Sequence, residues 1–308
     1  MKRIFFSIIT LYIVIGIILI IVIKPKNVNV NFFTIKQNYS RLMTENESLV
    51  FGFFIDQNSS FITDKDNIVN ASLTNNINKI AVNISNIEQI AENIEYKEKL
   101  YYQYNLTIDF SEIYVNEFEL NLVDAFLELS YINGDTLSLA LGDIFLSFGD
   151  IECNNYLDYS NIYGLVNNIN DELYLTALII KFENLSDKEI IINQITTNNN
   201  MIEFDLENYQ KSIEKYEFSM ALEDIITDYN YIGEAKEGSI LLEDEFYYIF
   251  PIKYKEDLKK IYRFPLQINF YYNEENHLIS LDDYLFFDEQ IILDDYVNEI
   301  TEYQYSYQ

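Results

Sequence analysis

A run of 20 residues without a charged side chain, Ile4–Ile23, is the most restrictive feature of this sequence. A helix rises about 1.5 Å per residue, so a run of this length spans the hydrocarbon core of a bilayer, which is about 30 Å thick. Lys2 and Arg3 precede the run, and further lysines follow it. Residues 1–26 are therefore predicted to form a single transmembrane signal anchor.

Two other interpretations of this run stay open, a cleaved secretory signal and a core helix. The apolar region of a secretory signal is usually about 7–15 residues long and ends in a small-residue cleavage site. Here the run is longer, and the following IVIKPKNVNV contains no such site. The basic residues on the two sides nearly balance. Because a short basic segment precedes the run, we expect a single-pass cell-membrane protein with most of its chain extracytoplasmic.

The rest of the chain is strongly acidic. The 308 residues include 50 Asp and Glu against 20 Lys and Arg, a formal charge of −30, and residues 1–26 alone carry +4. The abundance of Asn, Ile and Tyr is typical of an AT-rich, bacterial genome, but that bias favours Lys and does not explain the acids. Binding to nucleic acid needs a basic surface. No nucleic-acid partner is therefore predicted.

Alternating apolar and polar residues, typical of β-strands, dominate from residue 27 onward. The clearest pattern is a pair of alternating runs joined by Asn133-Gly134, which predicts a hairpin with a type I′ turn. A long run over 173–182, a polar turn at 184–188 and a return run over 189–195 predict a second hairpin unit. That pattern is common in immunoglobulin-like sandwiches.

We predict a mainly β protein, with an N-terminal transmembrane helix followed by two antiparallel β-sandwich-like (immunoglobulin-like) domains and a few short helices. The first β-rich domain is placed at 27–160 and the second at 171–308, because periodicity is lost in 153–171. Three helices are predicted, over residues 86–99, 219–228 and 256–262. The first of these rests on a capping-box spacing and on isoleucines three and four residues apart.

Few residues suggest chemistry, and no catalytic, cofactor-binding or metal-binding residue is assigned. His277 is expected at the surface, and Cys153 has no partner thiol with which to form a disulfide. The loop 56–64 resembles a calcium loop but has Phe61 where an EF-hand needs glycine. Acidic doublets crowd the last third, either as a calcium site or, as we prefer, as a solvated rim: Glu243-Asp244-Glu245, Glu274-Glu275, Asp282-Asp283, Asp288-Glu289 and Asp294-Asp295.

Tyrosine is unusually frequent, with 27 residues. Tyrosine favours interfaces, and the alternating segment 301–308 has the pattern of either an edge strand or a frayed tail. We expect a non-enzymatic binding or assembly module of an envelope complex, with a protein partner on a Tyr-rich surface or an edge strand. A carboxylate-dependent envelope hydrolase and a ligand-sensing ectodomain are the alternatives. An enzyme predicts a pocket in which two carboxylates converge and one pKa is raised, whereas a binding module predicts a flat tyrosine patch or an uncovered strand edge.

Overall fold

The computed structural model describes residues 28–45, 47–110, 119–213, 222–261, 263–286 and 298–307. The predicted anchor, 1–26, lies outside the described residues. Within them, no helix has the length and apolar character needed to cross a bilayer. The described strands are β1 (Val28–Ile35), β2 (Gln37–Met43), β3 (Ser48–Ile55), β4 (Ile68–Thr74), β5 (Lys79–Tyr96), β6 (Lys99–Asp109), β7 (Glu119–Tyr131), β8 (Thr136–Phe148), β9 (Leu157–Ile169), β10 (Glu172–Asn184), β11 (Ile190–Thr196), β12 (Ile202–Phe204), β13 (Gln210–Ser212), β14 (Ile240–Leu241), β15 (Tyr247–Tyr254), β16 (Arg263–Tyr272), β17 (Glu275–Leu285) and β18 (Ile300–Tyr307).

Nine strands form one folded-over sheet, which we call the first unit, in the order β18-β1-β3-β6-β5-β4-β7-β8-β2. The long strand β5 joins its two halves, because residues 79–82 pair with β4 and residues 83–96 pair with β6. Phe32 and Phe51 from one half and Leu127 from the other enter the same apolar core. The first unit is therefore a sandwich made by folding one sheet over.

Two smaller sheets form the second unit, which spans 157–286. One has the order β12-β15-β10-β9, with β13 also on β15, and the other has the order β14-β11-β16-β17. Ile180 and Phe250 from the former and Ile192 and Phe270 from the latter share one buried core. Two sheets packed on a common core are the arrangement of a β-sandwich. The prediction of a mainly β, sandwich-type fold is confirmed.

The predicted hairpin at Asn133-Gly134 is confirmed, with a different turn. β7 and β8 pair antiparallel, and Leu127 lies opposite Leu139. The loop between them covers four residues, 132–135, and within it only Gly134 has a positive φ, of 87°. A two-residue type I′ turn needs positive φ at both central residues. The glycine therefore serves a longer turn.

The predicted helix over 86–99 is wrong. These residues form most of β5, then a tight turn at 97–98 and the start of β6. The register between β5 and β6 shifts between Gln89 and Asn93, which marks a β-bulge. Ile87 packs against the main core of the first unit, whereas Ile94 packs against a separate cluster that contains Phe33 and Tyr101. The isoleucines that are spaced as in a helix therefore do not lie on one face.

The two other predicted helices are also wrong within the described residues. Of 219–228, the described part contains only a single turn of 3-10 helix, Leu222–Asp224. Residues 256–261 contain bends and irregular backbone and no helical turn. Both segments are too short to sustain a helix without packing along one whole face.

The second predicted hairpin unit is an arch between two sheets. β10 pairs with β9 and β15, whereas β11 pairs with β14 and β16. The polar turn between them is held by side chains, since Asn184 Nδ2 donates to the Lys188 carbonyl at 2.8 Å and Ser186 N donates to Asn184 Oδ1 at 2.9 Å. Local alternation therefore predicts which segments form strands, but it does not predict the sheet to which each strand belongs.

The sheets depart from the predicted division at 160 and 171 in two places. β9 occupies the stretch expected to separate the domains, and it belongs to the second unit. β18 lies at the far end of the predicted second domain but pairs with β1 in the first unit. The chain thus crosses between the units twice, after β8 and before β18.

One pair of strands also departs from the antiparallel expectation. β2 runs parallel to β8, beginning with Gln37 opposite Gly142. Gly142 has a φ of 99°, and a Cβ there would lie 2.2 Å from the Gln37 carbonyl oxygen. Glycine is therefore required for β8 to bend and for β2 to approach it.

Candidate functional site

β18 is an outer edge of the first unit. It pairs with β1 along all eight residues without a register shift, from Val28 opposite Tyr307 to Ile35 opposite Ile300. No other described strand pairs with its far edge. Edge strands are commonly protected by proline, lysine or a bulge. β18 has none of these, and its single charge, Glu302, is paired with Lys97.

The three tyrosines of β18 face inward. The Tyr303 ring stacks on Phe32 at 4.9 Å between centroids. Each hydroxyl forms a bond to a distant part of the first unit: the Ala140 amide donates to Tyr303 at 2.6 Å, Tyr305 donates to Asp135 at 2.7 Å, and the Phe61 amide donates to Tyr307 at 3.3 Å. Burial, and then the bond to Asp135, raise the pKa of Tyr305. These rings stabilise the edge strand and leave Glu302, Gln304 and Ser306 exposed.

The other predicted tyrosine clusters are mostly buried. Tyr104 and Tyr248 belong to the two cores, and Tyr229 and Tyr231 pack on the outer face of the sheet containing β10. Tyr271 and Tyr284, on β16 and β17, are the most exposed of the tyrosines that the structure describes, at 45% and 37%. The uncovered strand edge is therefore better supported than a flat tyrosine surface.

A pair of asparagines after β11 joins the two units. Asn198 Nδ2 donates to the carbonyls of Arg41 at 2.7 Å and Phe145 at 2.9 Å, and Asn198 Oδ1 accepts from the Ser40 hydroxyl at 2.6 Å. The neighbouring Asn199, which is buried, donates to Asn38 Oδ1 at 2.8 Å. One amide thus ties the β2–β8 pair to the second unit.

A cleft of about 330 Å³, which we call the junction cleft, lies beside this contact. Its charged and aromatic lining comes from both units: Lys36, Asp124, Asp143, Glu172, Tyr174, Lys259, Lys260 and Glu299. Ligand sites occur preferentially between domains. The sequence patterns did not indicate this cleft, because its lining comes from six separate segments.

One half of the junction cleft surrounds Asp143. Its Oδ1 accepts a hydrogen bond from the Asp124 amide at 3.0 Å, and Lys36 lies 3.7 Å from the Asp124 carboxylate. Desolvation raises the pKa of Asp143, against the opposing effects of the Asp124 amide, Lys259 and Lys36. Asp124 itself sits in a bulge of β7 with a φ of 50°. Two carboxyl groups, one with a raised pKa, therefore share a concave site.

The other half of the junction cleft surrounds Tyr174. Its hydroxyl donates to Glu172 at 2.5 Å. Desolvation, the bond to Glu172 and the nearby charge of Glu299 raise the pKa of Tyr174 to about 12. This half is therefore a phenol flanked by two carboxylates.

His277 is less exposed than expected for a surface histidine. Its side chain is 22% exposed and packs on three rings, with centroids 5.0 Å from Tyr156, 5.6 Å from Phe270 and 6.0 Å from Tyr272. Its Nε2 is 4.0 Å from Glu275. The imidazole is better explained as part of an aromatic cluster than as a base. Cys153 is exposed, with a free thiol.

The acidic doublets lie on separate turns where the structure describes them. Glu243 pairs with Lys211, and Asp244 accepts from the Asn184 amide at 3.0 Å. Glu274 lies in the turn between β16 and β17. The doublets at 288–289 and 294–295 lie outside the described residues, as do the side chains of 282 and 283. Among the residues whose side chains are described, no group of three or more His, Cys, Asp or Glu is arranged to hold a metal ion.

No protein-family model and no curated protein matches this chain. Solved structures similar to it include a chimeric titin Z1Z2 carrying a peptide from decorin, at 9% identity and a TM-score of 0.18, over 82% of this chain and 96% of that one. The titin fragment A168169 is similar at 7% identity and a TM-score of 0.17, over 82% and 97% of the two chains. At such TM-scores nothing about this chain follows from the similarity.

Proposed function

We propose that this protein is a single-pass, membrane-anchored extracytoplasmic module of two immunoglobulin-like β units, and that it binds or assembles with another envelope protein without catalysing a reaction. The observation that carries the proposal is the outer edge of β18, with which no described strand pairs; β18 is a regular eight-residue strand without a protective proline, lysine or bulge. Such an edge is a template for an extended segment of another polypeptide, because its outer amides and carbonyls await partners.

The position of β18 relative to the proposed anchor supports a membrane-proximal partner. Tyr307 lies opposite Val28, which follows the predicted anchor by two residues. A second copy of this chain pairing antiparallel through β18 would place the two copies of Val28 at opposite ends of the strand pair, about 25 Å apart. If the strands lie perpendicular to the membrane, one copy of Val28 would then lie about 25 Å farther from the membrane than the other, so two copies anchored in the same membrane fit this arrangement poorly. A different protein, with a free extended segment, fits it better.

Charge narrows the chemistry of that partner. The chain beyond residue 26 carries −34, so copies of it repel one another and a basic polypeptide is attracted. We therefore propose a partner with a basic extended segment. Main-chain hydrogen bonds to β18 would supply affinity, and acidic surroundings would supply the long-range attraction.

Site-specific photo-crosslinking in native membranes tests the proposal. A photo-reactive residue replaces Gln304, on the exposed face of β18, or Gln267, an equally exposed position on β16. A discrete adduct with another protein at Gln304 and not at Gln267 is expected. With the photo-reactive residue at Glu302 instead, an adduct with the same protein is expected. The added substitutions Q304K and S306K should abolish the adduct at 302, because lysines protect strand edges and repel a basic segment. Equal labelling of both sites, or no adduct, contradicts the proposal.

The junction cleft favours a second candidate function, a carboxylate-dependent hydrolase of envelope glycan or protein. Asp143, with its raised pKa, would act as the general acid, and Asp124 would be the second carboxyl group. Zymography against cell-wall glycan and casein, with D143N as the control, tests this function. Activity in the natural protein that D143N loses supports it, and equal background in both excludes a role for Asp143.

A further inference from the structure

We infer that the partner of β18 is an amphipathic strand, with apolar side chains at every second position, and that the main chain of Glu302, Gln304 and Ser306 binds it. This inference rests on the function proposed for β18. It adds which groups of β18 make the contact and which sequence pattern fits them. Its basis is the way in which β18 is turned relative to β1.

The pairing with β1 sets the direction in which each main-chain group of β18 points. The Lys36 amide donates to the Glu299 carbonyl at 3.0 Å, one step beyond the last paired residues of β1 and β18. In an antiparallel ladder, pairs that exchange hydrogen bonds alternate with pairs that do not. From this pair onward, every second residue of β18 therefore bonds to β1: Thr301, Tyr303, Tyr305 and Tyr307. The residues between them point their amides and carbonyls to the outer edge: Glu302, Gln304 and Ser306.

Hydrogen bonds on the other side of β1 agree with this alternation. Asn31 lies opposite Gln304. The Asn31 carbonyl accepts from the Asp56 amide at 3.0 Å, and the Asn31 amide donates to Asp56 Oδ1 at 3.0 Å. Because Asp56 directly follows β3, both main-chain groups of Asn31 face β3 rather than β18. The main chain of Gln304 therefore has no partner on β1, and no hydrogen bond joins it to any other residue that the structure describes.

The side chains of an added strand follow the alternation of β18. Residues that lie directly opposite each other on neighbouring strands point to the same face of a sheet. Partner residues opposite the tyrosines of β18 therefore point toward the core of the first unit, and those between them point outward, beside Gln304. The residue type that fits each position depends on what borders that face.

The core is incompletely covered beside β18. Two contacts join β18 to β8 and its turn: the Ala140 amide donates to the Tyr303 hydroxyl at 2.6 Å, and the Tyr305 hydroxyl donates to Asp135 at 2.7 Å. Leu137 lies between these two contact points along the chain, and it and Tyr303 are only partly buried against the core. β2 pairs with β8 only beyond this region. Apolar side chains of an added strand would bury this surface, which favours apolar residues at the inward positions.

The outer face favours polar residues. Glu302, Gln304 and Ser306 are exposed, and the acidic chain attracts basic side chains. The partner sequence therefore alternates between apolar residues and polar or basic ones. A basic segment without this alternation has the same charge attraction, but it cannot place all its apolar side chains on the core side. Binding should thus depend on the order of the residues as well as on their number.

Two peptides of equal composition and charge test the inference on the full chain in mild detergent. Both are capped at their ends; KVKVKVK alternates, whereas KKKKVVV separates its lysines from its valines. Fluorescence anisotropy of labelled peptides measures the affinities. KVKVKVK should bind about tenfold or more tightly, because only this peptide buries all its valines on one face while the main chains pair.

Proline variants test the direction of the main chain. Q304P removes an outward amide, and an edge strand accepts proline where the amide faces solvent. Q304P should therefore melt almost like the natural protein but weaken KVKVKVK about tenfold or more. Q304A, which keeps the amide, is the control and should bind normally. T301P removes an amide that bonds to β1 and should lower the melting temperature clearly.

Three results would overturn the inference. The first is equal binding of the two peptides, or binding of neither, by the folded natural protein. The second is equal binding of KVKVKVK by Q304P and Q304A, which means that the outward amide is not used. The third is a loss of stability in Q304P as large as that in T301P, which means that β18 is turned the other way.

Photo-crosslinking at Gln304 separates this inference from the proposed function. An adduct at Gln304 together with equal binding of the two peptides overturns only the inference, because a partner then binds without the alternating pattern. The absence of an adduct in native membranes contradicts the proposed function itself.

Discussion

The two units differ in how much of the chain each needs. The second unit is built from one continuous stretch, 157–286, and each of its strands pairs only with strands of the same stretch. The first unit takes its strands from 28–148 and then its edge strand from 300–307. All strands of the second unit are therefore available once residues 157–286 have been synthesised. The first unit is complete only when β18, which begins more than 150 residues after the end of β8, has also been synthesised. Such distant closure carries a larger loop entropy and slows folding.

The units also differ in which segments cover their sheets. In the second unit, the segment 222–231 covers the outer face of the sheet that contains β9 and β10. Asn167, on β9, accepts a hydrogen bond from the Leu222 amide at 2.7 Å and donates one to the Tyr231 hydroxyl at 3.0 Å. In the first unit the tyrosines of β18 bind Phe61, Asp135 and Ala140, all far away in sequence. The stability of the first unit thus depends on its last strand to an unusual degree.

Deleting residues 299–308 should have the largest effect and should separate the units. It uncovers β1 and removes three packed tyrosines, at a cost above about 5 kcal/mol, comparable to the whole stability of a small domain. Hydrogen exchange measured by mass spectrometry should show fast exchange in β1 and β3 and slow exchange in β10 and β15. The double variant Q304T, S306T, on the exposed face, is the control and should exchange normally. Equal loss of protection in both units would show that the second unit also depends on β18.

The variant N198A should have the next largest effect. It leaves the carbonyls of Arg41 and Phe145 and the Ser40 hydroxyl without a shared partner, at a cost of about 3 kcal/mol. Because the amide joins the units, N198A should weaken the coupling of their melting, and scanning calorimetry should show a broader transition, or transitions farther apart, than in the natural protein. N200A, at the exposed neighbouring position, is the control. If N198A and N200A melt alike, Asn198 does not couple the units.

The variant D143N should have a smaller effect of the opposite sign. Desolvation raises the pKa of Asp143 in the folded state, so stability from this group is present at low pH and is lost as pH rises through the ordinary value toward the folded one. Asparagine keeps the acceptor for the Asp124 amide and removes the charge. In urea unfolding, D143N should be more stable than the natural protein at pH 7, and the difference should shrink toward pH 4. A difference that is constant with pH would exclude ionisation as its cause.

The smallest effect is expected for K97M. The pair of Lys97 and Glu302 is exposed, and such pairs contribute little to stability. The bond to Lys97 lowers the pKa of Glu302, so K97M should raise that pKa toward its ordinary value while urea unfolding stays unchanged. NMR titration of the Glu302 carboxylate measures the shift, and K65M, on an exposed lysine in another loop, is the control. A large loss of stability would show that β18 depends on this pair.

Sequence patterns predict the strand content because alternation is a local property. The hairpin joined by Gly134 follows from two alternating runs that are next to each other. The helix predicted over 86–99 is wrong because the spacing of isoleucines does not show on which face each one lies, and Ile87 and Ile94 pack against different clusters. The pairing of β18 with β1 could not be predicted. The alternation in β18 indicates an amphipathic strand, but it does not show against which core its tyrosines pack. The junction cleft was missed for a related reason, as Asp143 and Glu172 meet only when both units are in place.

The pairing of β18 with β1 has a mechanical consequence. Val28 and Tyr307 lie side by side, so a force that pulls these two residues apart opens the strand pair one hydrogen-bonded step at a time. A partner strand lying along β18 would instead transmit tension lengthwise, and all of its main-chain hydrogen bonds would resist at once. If the chain is anchored before residue 28 and a partner binds along β18, as proposed, the same pair of strands is weak when its ends are pulled apart and strong when one strand is pulled along the other.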